Sequence, residues 1–253
     1  MYMKHEVALY FRDQMRTARA AALRDAEAFQ EIVFVLERLG SFLTGNIGNL
    51  GKYGDAIQGI AAKSPMATLV PLKLQGIHTS FEAKYRIVRE ARNSALHEGA
   101  LARHLTINAI ELSLVLEEAL MAESSRILDF MVSNPVCAYL WQPLSLIRQT
   151  MLVNSFSFLP VPVDERGETA WRLVSDIGLA QYLRVGGKVS TDRVSQKLEE
   201  AVDSGAIELL RAETCRPQDE IKSIFEKFKS FPLLVPSPDN RQLMGILTAF
   251  DLL

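Results

Sequence analysis

Pro143-Leu144-Ser145-Leu146-Ile147-Arg148-Gln149-Thr150-Met151-Leu152, followed by Phe156 and then Ser157-Phe158-Leu159-Pro160-Val161-Pro162-Val163, decides the fold of this chain. The first ten residues read as a helix, and the second run is a strand punctuated by prolines. Upstream, Pro135-Val136-Cys137-Ala138-Tyr139 reads as a strand; downstream, Trp171-Arg172-Leu173-Val174 is another and Ser175 to Leu183 a helix. The order then returns: a strand around Ala206 to Leu210, a helix from Gln218 to Lys229, and strands at Phe231 to Val235 and Leu243 to Leu247. An internal duplication of a strand-helix-strand-strand-helix unit accounts for this alternation. Gly186 to Ser204 connects the copies and is helical from Asp192 to Ala201.

Before Ser133 the texture differs. From Glu6 to about Ile127 prolines are few and apolar residues recur three and four apart, as in Phe29, Ile32, Val33, Leu36 and Leu39; this predicts a helical bundle. Leu105, Ile107, Ile110, Leu112, Val115, Leu116 and Leu120 make a central helix, apolar enough to be enclosed. Between the first bundle helices, Gly45-Asn46-Ile47-Gly48-Asn49-Leu50-Gly51-Lys52-Tyr53-Gly54 has glycine at every third position. It reads as a turn supplied with positive φ angles, because neither a strand nor a P-loop lysine-serine pair accompanies it.

The 253 residues exceed the usual single-domain size, so two domains are expected. The boundaries are 1–127 for the bundle, with its core at about 28–124, and 128–253 for the duplicated part. Within the latter the first repeat spans about 134–184, the connector 185–205 and the second repeat about 206–253, with its last helix cut short at Leu253. With 48% hydrophobic and 23% charged residues the composition is that of an ordinary globular protein. A net charge of -2 excludes a strongly basic nucleic-acid coat, so any RNA contact must come from a local patch. Cys137 and Cys215 stand far apart without C-x-x-C partners, which implies neither zinc site nor disulfide framework. No apolar run approaches the roughly 20 residues that span a bilayer, so no membrane partner is expected and a cytoplasmic setting fits.

Arg92-Asn93-Ser94-Ala95-Leu96-His97 carries chemistry in the helical half. A histidine titrates near neutrality and serves as acid or base, and an arginine presents a fixed fork of donors to a phosphate. On a helix Asn93 and His97 share a face, whereas Arg92 and His97 stand roughly 140° apart, so Arg92 reaches around or acts across a dimer. Tyr85, Arg86 and Arg89 lie one or two turns upstream as weaker candidates for flanking RNA phosphates; their alternative is a solvated face diluted by Glu82 and Glu90. His78 and His104 read as surface or packing residues.

On Arg92, Asn93 and His97 this half resembles the HEPN superfamily, small helical bundles that include metal-independent ribonucleases. The resemblance implies a homodimer whose facing motifs build one composite cleft, with His97 as acid/base, Arg92 stabilising the phosphate and Asn93 orienting either. RNA is cleaved there by its own 2′-hydroxyl, and no cofactor is required for catalysis.

Asn134 to Leu183 and Ala206 to Leu253 resemble two CBS repeats, most clearly in Pro143 to Leu152, Phe156 to Pro160 and the closing Gly245 to Leu253. The fold class is therefore multidomain: an N-terminal all-α HEPN-like bundle followed by a tandem CBS module of β-α-β-β-α repeats. In CBS proteins a Ser or Thr, two residues and then Asp mark a nucleotide site, the hydroxyl on phosphate and the carboxylate on ribose. Thr248 and Asp251 match this pattern; Ser175 supplies the hydroxyl of the first repeat, but Gly178 stands where its carboxylate belongs. At most one site, for a regulatory adenine nucleotide (AMP, ADP or ATP), has the full pattern, and Asp176 reads as part of a helix start. The resemblances together imply an endoribonuclease of toxin or phage-defence type, regulated by nucleotide, with room for an antitoxin partner. The alternative is a non-catalytic nucleotide-sensing and dimerisation protein with an inactive bundle.

Overall fold

The computed structural model describes residues 3–74, 77–94, 99–185, 187–227 and 232–253, with backbone alone for 92–94, 99–104 and 185. Two compact units divide the chain, Met1–Ser124 and Ser125–Leu253.

The first unit is helical: α1 (His5–Arg24), α2 (Phe29–Thr44), α3 (Leu50–Ala61), α4 (Pro65–Lys73), α5 (Phe81–Ser94) and α6 (Gly99–Met121). Helix α1 packs on α2 and α6, α3 on α2, and α5 on α6. The apolar stripe of α2 explains its place, because Ile32, Val33, Leu36 and Leu39 all point into one core with Met15, Ile57, Leu112 and Leu116. The glycine-rich segment divides into two parts. Gly45 ends α2 in the left-handed region (φ 68°), and the Asn49 side chain caps α3 by accepting from the Lys52 N–H. Leu50 to Gly54, expected as turn, is helical. Close packing in this region rests on Gly40 of α2, where an added Cβ would lie 2.5 Å from the Cβ and Cδ2 of Tyr53 on α3.

An enclosed ionic contact joins α1 to α6. Glu117, almost fully enclosed on α6, accepts from Arg19 Nε at 2.8 Å and Nη2 at 3.0 Å and from the Ser113 hydroxyl at 3.0 Å. A bidentate guanidinium and a hydroxyl offset the cost of removing the carboxylate from water.

The second unit contains, in order, α7 (Ile127–Phe130), β1 (Val132–Ser133), α8 (Leu144–Asn154), β2 (Phe158–Glu165), β3 (Glu168–Ser175), α9 (Asp176–Leu183), β4 (Arg184–Val185) and β5 (Lys188–Val189). It continues through α10 (Thr191–Ser195), α11 (Leu198–Asp203), β6 (Leu210–Arg211), β7 (Leu233–Pro236) and β8 (Leu243–Leu247), with a short 3₁₀ turn at Ala249–Leu252. Two antiparallel sheets, β2-β3-β6 and β1-β8-β7, form its framework, and β4 pairs β5.

The two copies share matched hydrogen bonds. The Ala138 N–H donates to Pro160 O at 2.8 Å, as Cys215 N–H does to Leu234 O at 3.0 Å. Leu198 N–H donates to Gln142 O, as Ile127 N–H does to Asp219 O, both at 3.0 Å. The lead-in segments are exchanged: β6, on the approach to the second copy, pairs with β3 of the first, and β1, on the approach to the first, pairs with β8 of the second. Their helices follow, since Leu198 and Ala201 of α11 complete the core of the first copy, and Ile127 of α7 that of the second. Trp171 and Leu173 of one sheet pack with Leu234 and Leu243 of the other.

Four expectations change in detail. The helix expected over Gln218–Lys229 is, within the described residues, two 3₁₀ turns, Ile221–Ser223 and Phe225–Lys227. Ile221 and Ile224 both pack on the second core, and a spacing of three suits a helix of three residues per turn. Pro135–Tyr139 forms no strand, because Pro135 lacks an N–H and Ala138 makes one inter-segment bond. Only Leu210–Arg211 of the strand expected around 206–210 forms a ladder. The connector helix is broken into α10 and α11 where Gln196 O accepts from Leu144 N–H. Among the described residues no helix is long and apolar enough to cross a membrane.

Replacing Gly40 by alanine is expected to overpack the α2–α3 contact and to destabilise the protein by about 1–3 kcal/mol. Urea unfolding followed by helical circular dichroism measures this; an unchanged midpoint would show that Tyr53 withdraws freely.

Candidate functional site

The end of β8 is the best-defined candidate site. Strand residues Leu243, Gly245 and Leu247 are buried, so alternation places Ile246 and then Thr248 at the sheet margin, where the 3₁₀ turn Ala249–Leu252 begins. Asp251 turns back onto this corner: its Oδ2 accepts from the Thr248 N–H at 2.7 Å and from the Thr248 hydroxyl at 2.8 Å. Both bonds fall on one carboxylate oxygen. Among the described residues no hydrogen bond reaches Oδ1, so the corner offers an acceptor oxygen beside a hydroxyl. Leu252 anchors the turn by packing on the Ile127, Leu233, Leu247 core.

The matching corner lies at the end of β3. Ser175 caps α9, its Oγ accepting from the Gly178 N–H at 3.0 Å, and Leu179 takes the anchoring place of Leu252. Position 178 has no side chain to complete the corner; a Cβ there would stand 3.2 Å from the Ser175 Oγ. The Asp176 carboxylate instead accepts from the Ile177 N–H at 2.6 Å, consistent with its reading as a helix-start residue. The structure thus gives one hydroxyl-carboxylate corner and one hydroxyl-only corner.

In the first unit Arg92 and Asn93 fall within the span of α5, while their side chains and the whole of His97 lie outside the described residues. Of the flanking candidates, Tyr85 is a correction. It is 4% exposed, packs among α3 and α5 residues, and donates its hydroxyl to Leu50 O at 2.7 Å; burial pushes its pKa up. A ring so enclosed presents nothing to RNA. It sits on the helix face that alternates with the exposed Arg86, and the apolar spacing Phe81, Tyr85, Val88 carried that signal in the sequence. Arg86 is exposed, and Arg89, half-buried, lies 3.6 Å from the Glu90 carboxylate.

Among the described residues no group of three or more His, Cys, Asp or Glu side chains is placed to hold a metal. Both cysteines are unpaired, and burial pushes each thiol up to about 11.

No family model and no curated protein matches the chain. Solved structures do: a CBS domain-containing protein of unknown function from Bacillus anthracis at 15% identity, covering 50% of this chain and 88% of its own, TM-score 0.39. CbpB in complex with c-di-AMP matches at 16% identity over 55% of this chain and 89% of its own, TM-score 0.38. CBSX2 in complex with AMP matches at 20% identity over 51% and 93%, TM-score 0.35. The neighbours are CBS-domain proteins that cover about half of this chain.

A raised thiol pKa makes a definite prediction. The neutral thiol is the form that the fold favours, so its contribution to stability is complete below the unfolded value near 8.5 and is lost as pH rises from there toward 11. At pH 8 Cys215, being buried as well, is expected to react with a disulfide reagent about 100-fold more slowly in the native than in the denatured protein. Equal rates would show that the second core opens freely.

Proposed function

We propose that the second unit is a CBS pair that senses an adenine nucleotide at the Thr248–Asp251 corner. The observation that carries this reading is the duplication of the unit, with matched hydrogen bonds in both copies, ending in a hydroxyl and a carboxylate on one strand-to-turn corner. The Asp251 Oδ1 accepts from ribose hydroxyls, while the Thr248 hydroxyl turns from Oδ2 to donate to a phosphate. Gly178 leaves the first corner without a ribose acceptor, so one nucleotide binds per chain. AMP, ADP, ATP and c-di-AMP share the adenosine that this corner recognises.

The test is titration calorimetry of the full chain with each nucleotide. The expected result is saturation at one site per chain, affinity reduced at least about ten-fold in Thr248→Val and Asp251→Asn, and little change in Ser175→Ala. Undiminished binding in both second-corner variants would remove the assignment.

For the first unit we propose a metal-independent endoribonuclease in which His97 moves the proton, Arg92 holds the phosphate and Asn93 orients them, regulated through the nucleotide site. Support for this comes from the residues themselves, Arg92-Asn93-x-x-x-His97, and the proposal includes a homodimer, an RNA substrate and an antitoxin partner. A second reading, a nucleotide-sensing and dimerisation protein with an inactive bundle, is favoured by the enclosure of Tyr85, which removes one flanking RNA contact.

Incubation with total RNA in EDTA decides between them. Cleavage that survives chelation and disappears in His97→Ala is the expected outcome. RNA left intact with and without nucleotide would place the non-catalytic sensor first.

A further inference from the structure

A cavity of about 240 Å³ opens on the first unit where the start of α1 meets the ends of α3 and α6. Its walls are apolar: Ala8, Ala119 and Leu120 are buried, and Ile60 packs on the same core. Alanine at 8 and at 119 leaves room that longer side chains would occupy.

Two further lining residues carry opposite charges. Lys63, just beyond α3, and Glu123, just beyond α6, pair with each other at 2.8 Å from Nζ to Oε1. The hydrogen bond from Lys63 holds the Glu123 carboxyl below its ordinary range, so it is ionised at neutral pH. With side chains 46% and 62% exposed, the pair is screened and contributes little to the fold, and among the described residues neither makes a second ion pair. The backbone adds the same two signs. Helix α1 begins here at His5 with its positive end, and α3 and α6 finish here with their negative ends.

Volume and charge together define an occupant. A dry cavity of about 150 Å³ holds one benzene, roughly 25 Å³ per heavy atom, so this one suits about nine or ten heavy atoms. That is too few for a nucleotide. A lone anion would gain Lys63 but meet Glu123, and a lone cation would meet the reverse. A molecule with an ammonium and a carboxylate on one carbon satisfies both. It enters between the two partners, its carboxylate accepting from Lys63 Nζ and its ammonium donating to Glu123 Oε1, while an apolar side chain displaces water from the walls. Leucine, isoleucine and methionine, with about nine heavy atoms each, match the volume.

We propose that the cavity bounded by α1, α3 and α6 binds a free α-amino acid with an aliphatic side chain, held by Lys63 and Glu123. The site lies within the first unit and is independent of both the nucleotide corner and the ribonuclease reading.

Calorimetry of the full chain with L-leucine tests this, beside isocaproate, which lacks the ammonium, isoamylamine, which lacks the carboxylate, and glycine, which lacks the side chain. Saturable binding of leucine supports the site if it is at least about ten-fold tighter than that of each analogue and weakened at least about ten-fold in Lys63→Met and in Glu123→Gln. Both substitutions fall on exposed side chains, and thermal unfolding checks that the variants fold. No saturation by leucine, isoleucine, valine or methionine up to about 10 mM overturns the proposal. So does isocaproate bound as tightly as leucine, which would make the cavity an anion site, and so does leucine binding undiminished in both variants, which would place the amino acid elsewhere. AMP binding is expected to be unchanged in the same variants, so this site and the Thr248–Asp251 corner fail separately.

Discussion

The second unit depends on an exchange of lead-in segments. Ile127 and Leu198 are fully buried, yet each lies in the copy that its own segment does not precede. Neither copy closes its core alone: without α11 the first loses Leu198 and Ala201, and without α7 the second loses Ile127. The β1–β8 and β6–β3 ladders impose the same reciprocity on the sheets. A unit closed in this way folds cooperatively, because each half contributes side chains and backbone partners that the other cannot supply. Close approach reinforces it: an added Cβ at Gly245 would run into the Met131 side chain, which seals that junction.

What the sequence made legible follows from the range of the interactions concerned. The apolar period of α2 and the run Ser157–Val163 depend on local alternation, and both became the elements they resemble. The repeat order was readable for the same reason. The exchange was not, since Val132 beside Ile246 and Leu210 beside Leu173 are pairings that no local pattern encodes. The Gln218–Lys229 segment failed differently, because Ile221 and Ile224 satisfy a three-residue period as well as part of a 3.6-residue one. Tyr85 was misread because a tyrosine carries both an aromatic body and a polar tip. Its neighbours in sequence are charged, but its neighbours in space are α3 and the core.

At the candidate site, the residue types were legible and their engagement was not. Thr248 and Asp251 stand out in sequence at the spacing of a hydroxyl and a carboxylate. That both bonds from Thr248 land on the same Asp251 oxygen, leaving the other turned to further donors, emerges only from the geometry. Gly178 shows the converse. Its absence of a side chain is visible in sequence, but its backbone N–H is the donor that holds Ser175 in place, so the hydroxyl-only corner is a complete structural cap in its own right.

Comparison of the two copies separates structural from functional constraint without recourse to other proteins. Where they agree, as in the Ala138 and Cys215 hydrogen bonds or the Leu179 and Leu252 anchors, the fold sufficiently explains the residue. Where they differ at matched positions, the fold accepts either residue. Asp251 against Gly178 is one such difference, and it favours a polar ligand in the second copy.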